Sequence, residues 1–273
     1  MIIKLDQAPN DVVIDLLHDY RDLTDVALRT KNESTLGIFI AEGQTVISRA
    51  AMAGYLFRSV LCEEKWLESV LPWVDAETPI LISSNQMMET IAGYNVHRGA
   101  LASMVRRALP DPKDLLQSSD RVIVLEGLVN HTNVGAIVRS AAAFGFDALL
   151  IDQHCADPLY RRSIRTSMGT IFSLPWSRLP DWPDSARLIR NAGLAIVALT
   201  PDISAKSVTE ISLPSRFALV LGTEGDGLSV GTRGIADLLL RIPMKEGIDS
   251  LNVASAAAVA MYALARESVE PNA

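Results

Sequence analysis

Two polar turns in the last third of the chain carry residue types suited to chemistry. Gly222-Thr223-Glu224-Gly225-Asp226-Gly227 follows the apolar run Phe217–Leu221, and Ser250-Leu251-Asn252-Val253 comes shortly after Ile242-Pro243-Met244. Three glycines within six residues let a backbone approach a ligand closely and adopt positive φ. Ser250 and Asn252 stand at the mouth of an Ala-rich helix, where a hydroxyl, an amide and free backbone N–H groups converge. The pattern describes a small-molecule site with a polar target beside it. It is not the G-x-G-x-x-G of dinucleotide folds, and no phosphate-loop Lys-Ser/Thr follows. A nucleotide-dependent oxidoreductase is also set aside, because Glu126-Gly127-Leu128-Val129-Asn130 stands where its glycine fingerprint would follow the strand Val122–Leu125.

Two further segments belong to the constellation. In Asn130-His131-Thr132-Asn133-Val134-Gly135, Asn133 reads as a helix cap and Gly135 allows close packing, with Arg139 six residues beyond Asn133 on the same helix. Arg161, Arg162 and Arg165 form a basic cluster on another helix. Taken singly, Arg139 is a surface residue with an ion-pair partner, Ser250 and Asn252 are caps, and the arginine cluster is a solvated face.

The elements that must position these residues alternate between strand and helix. In the first half a helix is expected over Asp11–Arg29, then strands at Leu36–Ala41, Phe57–Cys62, Pro79–Ile82 and Ala100–Val105 with helices between them. Leu109-Pro110-Asp111-Pro112-Lys113 and Gln117-Ser118-Ser119-Asp120 read as a linker, dividing the chain into domains 1–108 and 121–273 across 109–120. The second half restarts with the apolar strand Arg121–Leu125. Strands follow at Ala148–Ile151, Ile171–Leu174, Ala195–Leu199, Phe217–Leu221 and Leu240–Ile242, with helices over Asn133–Phe144, Leu159–Ser167, Ser185–Ala192, Val230–Leu239 and Val253–Ala265. That is an α/β open parallel sheet, whose ligands bind outside the carboxyl ends of the strands.

Composition bounds the rest. Apolar residues make up 49% of the 273, enough for a well-buried core. Two cysteines, Cys62 and Cys155, lie far apart and fit a reducing cytoplasm, and four histidines lack ligand-like spacing, so no metal is expected. No signal-peptide pattern opens the chain, and the most apolar helix is too short to span a bilayer. The net charge of −7 is spread over both halves and weighs mildly against a nucleic-acid partner, unless basic side chains are gathered locally.

Taken in order, the segments Asn130–Arg139, Gly222–Gly227 and Ile242–Val253 resemble the three motifs of the SpoU (TrmH-like) family of AdoMet-dependent RNA ribose 2′-O-methyltransferases, in the SPOUT superfamily. The resemblance covers the whole chain. Phe39-Ile40-Ala41-Glu42-Gly43 looks like the family's substrate-binding domain, and His97-Arg98-Gly99-Ala100-Leu101-Ala102 like that domain's end. The resemblance implies a Rossmann-like parallel sheet with a C-terminal trefoil knot, preceded by a smaller α/β ribosomal-protein-like domain. It also implies a homodimer with the active site near the interface. AdoMet would rest on Gly222, Ile242 and Leu251, with Thr200 and Met244 nearby. Arg139 would align the RNA phosphate and stabilise charge as the 2′-hydroxyl loses its proton; a role as the base itself is awkward for a guanidinium, which does not readily give up its own proton. Asn133, Glu224, Ser250 and Asn252 would surround the ribose, although Glu224 reads equally as a cap of its own turn. Arg161, Arg162 and Arg165 would contact RNA phosphates. One departure is His131, which replaces the family's usual proline and adds a titratable group. Ribosomal RNA is the expected substrate. Transfer RNA, or a non-catalytic RNA binder on the same fold, are the alternatives.

Overall fold

The structure, a computed structural model, describes residues 1–5, 11–26, 33–96, 99–223 and 225–265. It comprises two units. One contains Met1–Ala108 together with Leu159–Phe172, and the other contains Leu109–Pro158 and Ser173–Ala273.

The first unit is built on strands β1 (Ile2–Lys4), β2 (Ile38–Glu42), β3 (Phe57–Cys62), β4 (Ile80–Ile82) and β5 (Ala100–Val105), in the spatial order β1-β4-β3-β5-β2. The β1, β4 and β3 pairs are parallel, and β5 runs antiparallel to both β3 and β2. Helices α1 (Asp11–His18), α2 (Gln44–Met52), α3 (Leu67–Val70) and α4 (Asn85–Ala92) accompany them. Leu16, Leu17, Ile40, Leu61, Leu81 and Leu101 meet in its core.

The helix expected over Asp11–Arg29 ends at His18. Asp19 turns inward instead, accepting the Ser103 hydroxyl at 2.7 Å and lying 3.0 Å from the Arg58 Nε. Asp22 then takes a φ of 52°, which breaks the helical path. The remainder of that stretch, Ala27–Arg29, and the motif residues His97 and Arg98 lie outside the described residues.

The second unit has strands β6 (Arg121–Leu125), β7 (Ala148–Ile151), β8 (Trp176–Arg178), β9 (Ala195–Leu199), β10 (Lys206–Ser207), β11 (Phe217–Leu221) and β12 (Leu238–Arg241). All pair in parallel, in the order β10-β12-β9-β11-β6-β7-β8. The expected α/β architecture with a parallel sheet is therefore present. Its helices are α5 (Pro112–Gln117), α6 (His131–Ala143), α8 (Ala186–Asn191), α9 (Val230–Ile235) and α10 (Val253–Ala265); α7 (Arg161–Thr166) belongs to the first unit.

Three expectations for this half are corrected. The stretch read as a linker holds α5: Asp111 caps it through the Lys113 N–H at 2.8 Å, Pro112 opens it, and Leu115 and Leu116 are buried in the core. The strand expected at Ile171–Leu174 is a 3₁₀ turn, Thr170–Phe172, and the strand comes later at Trp176–Arg178. Ile171 and Leu174 are both buried and stand three apart, a helical spacing. The helix expected over Val230–Leu239 stops at Ile235, where Ala236 turns extended, and Leu238–Leu240 join the sheet.

Candidate functional site

Register brings the strand ends level. Leu221 of β11 pairs with Leu125 of β6, and the Thr200 N–H after β9 donates to the Leu240 carbonyl of β12 at 2.8 Å. Beyond these carboxyl ends lies a cavity of about 330 Å³. Thr200, Gly222, Ile242, Met244 and Leu251, the five residues expected to hold a cofactor, all stand on its wall, as do Ser250 and Asn252. Thr223, Gly225, Gly227, Val253 and Ala256 join them. The cavity has a size that suits a small molecule, and its lining mixes apolar side chains with a few hydroxyl and amide groups.

The loop after β11 is pinched at its neck. Thr223 N–H donates to the Gly227 carbonyl at 3.0 Å. A Cβ on Gly222 would sit 2.5 Å from Gly227 carbonyl atoms and 2.6 Å from the Leu228 nitrogen, so only glycine fits there. Glu224 lies outside the described residues.

Asn252 organises the opposite wall. Its Oδ1 accepts the Ala254 and Ser255 N–H groups at 3.0 and 3.3 Å, capping α10. With that oxygen committed, its Nδ2 faces away and donates to Asn133 Oδ1 at 3.3 Å. Asn133 itself is buried in the first turn of α6. The cap of α6 is not Asn133, as expected, but Asn130, whose Oδ1 takes the Thr132 and Asn133 N–H groups at 2.9 and 3.4 Å. Residue 133 is thereby released to meet Asn252. His131 occupies the first helical position, where proline is favoured for its fixed φ, and the Asn130 cap supplies the start signal in its place.

Arg139 is exposed and does not line the cavity, and no hydrogen bond or ion pair ties it to another described residue. Six residues along a helix advance it roughly 9 Å beyond Asn133 and onto a different face. The arginine cluster also divides. Arg161 is a largely buried structural residue: its Nη1 lies 2.6 Å from Glu42 Oε2, its Nη2 donates to the Leu23 carbonyl at 3.2 Å, and its guanidinium stacks on Tyr94 at 4.2 Å. A guanidinium drawn out of water requires such partners, and both of its terminal nitrogens are engaged here rather than offered to RNA. Arg162 and Arg165 remain exposed.

Two buried carboxylates that the sequence reading missed support the site from behind. Glu126 follows β6 and Asp152 follows β7, and Asp152 accepts the Gly127 N–H at 2.9 Å. The signal for both was an acid directly after an apolar strand. Burial pushes the neighbouring Cys155 thiol upward in pKa, so it is no nucleophile. In the exposed turn after β9, the Ser204 N–H and hydroxyl hold the Asp202 carboxyl below its ordinary range. Among the described residues no group of three or more His, Cys, Asp or Glu is placed to hold a metal ion.

Known proteins resemble this chain over most of its length. Residues 120–262 match the SpoU rRNA Methylase family. An uncharacterized tRNA/rRNA methyltransferase of Mycobacterium tuberculosis is 36% identical over 252 residues, covering 90% of this chain and 87% of that protein. The 23S rRNA (uridine(2479)-2′-O)-methyltransferase of Streptomyces viridochromogenes is 30% identical, covering 89% of this chain and 88% of that protein. The crystal structure of the SpoU methyltransferase AviRb from the same organism with AdoMet superposes with a TM-score of 0.78 at 25% identity, over 92% of this chain and 97% of that one. An AdoMet-bound rRNA methyltransferase of Sinorhizobium meliloti shares the fold, with a TM-score of 0.82 at 22% identity over 98% and 99% of the two chains. A parallel sheet with a glycine-necked cavity at its carboxyl edge, and a family match that spans that whole sheet, lead to one assignment: the chain belongs to the SpoU rRNA methylase family.

Proposed function

We propose that this protein transfers a methyl group from AdoMet to a ribose 2′-hydroxyl of RNA, with ribosomal RNA as the substrate. The observation that carries the reading is the Asn252–Asn133 hydrogen bond, which joins the wall of the cavity to the helix bearing Arg139. The residues present suit AdoMet. Gly222, Ile242 and Leu251, with Thr200 and Met244, offer backbone groups and apolar surface for a nucleoside and an amino-acid tail. When bound, AdoMet supplies a methyl on a sulfonium, an electrophile that needs no further activation.

The chain's own residues must then handle the hydroxyl. Ser250, Asn252 and Asn133 orient the ribose, and Glu224 belongs to the same set. Arg139 binds the substrate phosphate and stabilises negative charge on the 2′-oxygen as its proton leaves. Exposed Arg162 and Arg165 bind further phosphates. We read the active form as a homodimer, supported by the exposed Val259 and Tyr262 on α10 and by the distance along α6 between Arg139 and the cavity's Asn133. The tight neck at Gly222 is consistent with a knotted C-terminal segment, and two free buried thiols fit the cytoplasm.

The test is transfer of labelled methyl from AdoMet to total RNA of a strain lacking this protein, with wild-type and Arg139→Ala enzymes compared. Label on a 2′-oxygen of a large ribosomal RNA, lost in the variant, is the expected result. Label in transfer RNA would move the substrate class, and AdoMet binding without any label would favour an RNA-binding role on the same fold.

A further inference from the structure

Glu126 grips both ends of the loop Gly222–Leu228. Its backbone N–H donates to the Leu221 carbonyl at 2.9 Å, where the loop leaves β11. Its Oε2 accepts the Ser229 N–H at 3.2 Å, where the loop runs into α9. Between these two points Gly222, Thr223, Gly225 and Gly227 line the cavity. Glu126 itself does not.

The proton arrangement around this carboxylate is fixed. Oε1 accepts the Thr232 hydroxyl at 2.9 Å. That fully buried hydroxyl also receives the Trp182 Nε1–H at 3.0 Å and the Ser229 hydroxyl at 3.1 Å. A hydroxyl has one proton and two lone pairs. With both lone pairs taken, the Thr232 proton can only point at Glu126. The Ser229 N–H has no alternative direction either. Both oxygens of residue 126 must therefore accept, which a carboxylate does and an amide of the same shape does not.

We propose that Glu126 is a positioning residue for the methyl-donor loop, holding its neck so that the cavity is formed before AdoMet arrives. This rests on the reading of the cavity as the AdoMet site. Glu126 touches no reacting atom, so its effect should appear in donor binding and not in the methyl-transfer step.

Glu126→Gln separates these effects. Wherever its amide nitrogen points, one donor faces another. AdoMet affinity by calorimetry should fall on the order of tenfold, with a matching rise in KM for AdoMet, as expected for a lost hydrogen bond to a charged group. The kcat at saturating AdoMet should stay within about twofold. Thr232→Val, which removes the hydroxyl from Oε1, should repeat the loss and serves if Glu126→Gln does not fold; Thr232→Ser should keep wild-type affinity. Ile189→Val, in the core of the same unit, controls for lost stability and should leave KM unchanged. Wild-type AdoMet affinity in Glu126→Gln, or a fall in kcat at constant KM, overturns the proposal while the cavity reading stands. A wild-type protein that does not bind AdoMet overturns both.

Discussion

Asn252 uses both ends of one amide, and its two jobs can be separated by substitution. Asn252→Asp keeps acceptors for the Ala254 and Ser255 N–H groups but turns an oxygen toward Asn133. Asp is as good a cap as Asn, so stability should hold within about 0.5 kcal/mol by urea denaturation, while methyl transfer falls at least about tenfold. Asn252→Ala should lose both, with about 1 kcal/mol of stability gone as well. Full methyl transfer in Asn252→Asp, with a loss only in Asn252→Ala, would mean that the cap, and not the link to Asn133, is what activity needs. Arg139 makes the converse case. It is exposed and tied to no other described residue, so Arg139→Ala should leave the unfolding free energy within about 0.5 kcal/mol of wild type.

At the scale of elements, the loop after β11 and the helix α7 carry the expectations. Gly222→Ala places a methyl 2.5 Å from Gly227 backbone atoms, which cannot swing aside as a side chain would. The loop must open, and AdoMet binding should fall below detection by calorimetry while the sheet, followed by circular dichroism, stays intact. In α7, Arg161→Ala should cost about 3–5 kcal/mol, because it leaves the buried Glu42 charge with the Tyr94 hydroxyl and no counter-ion. Arg162→Ala with Arg165→Ala should instead leave stability unchanged and lower the salt dependence of RNA binding, by about 0.7 in log–log slope for each phosphate no longer neutralised. These two arginines and Arg161 look identical in sequence, and only the burial of β2, with Glu42 at its end, separates them. Other parts were easier to read. Uninterrupted apolar runs such as Phe217–Leu221 disclosed the parallel strands, since strands covered on both faces show no alternation. Asp111-Pro112 was misread because a Pro-rich stretch marks a linker and a helix start equally well. The cavity wall was legible through its glycines and its Ser-x-Asn. Glu126 was not, because its role depends on Thr232 and Trp182, both distant from it along the chain.

Across the whole molecule, burial of weak acids sets the response to alkali. Burial lifts the Cys62 thiol from its ordinary 9.0 to about 11, with the Glu63 charge adding to the effect, and burial also raises Tyr20, Tyr94 and Cys155. A group whose pKa is higher when folded holds its proton more tightly in the native state. Its contribution is complete below the unfolded value and is lost as pH rises through the folded one. Stability should therefore decline between about pH 9 and 11, and Cys62→Ala should flatten that decline. Neither cysteine should react with a thiol reagent at pH 8 until urea is added. The chain also passes from one unit to the other three times, at 108/109, 158/159 and 172/173. Cutting the protein at the first crossing would not yield an intact first unit. A fragment of residues 1–108 would present Glu42 and Tyr94 without the arginine that covers them. Exchanging the first unit between relatives requires two grafts, since residues 159–172 must travel with it and bring the arginine that pairs with Glu42.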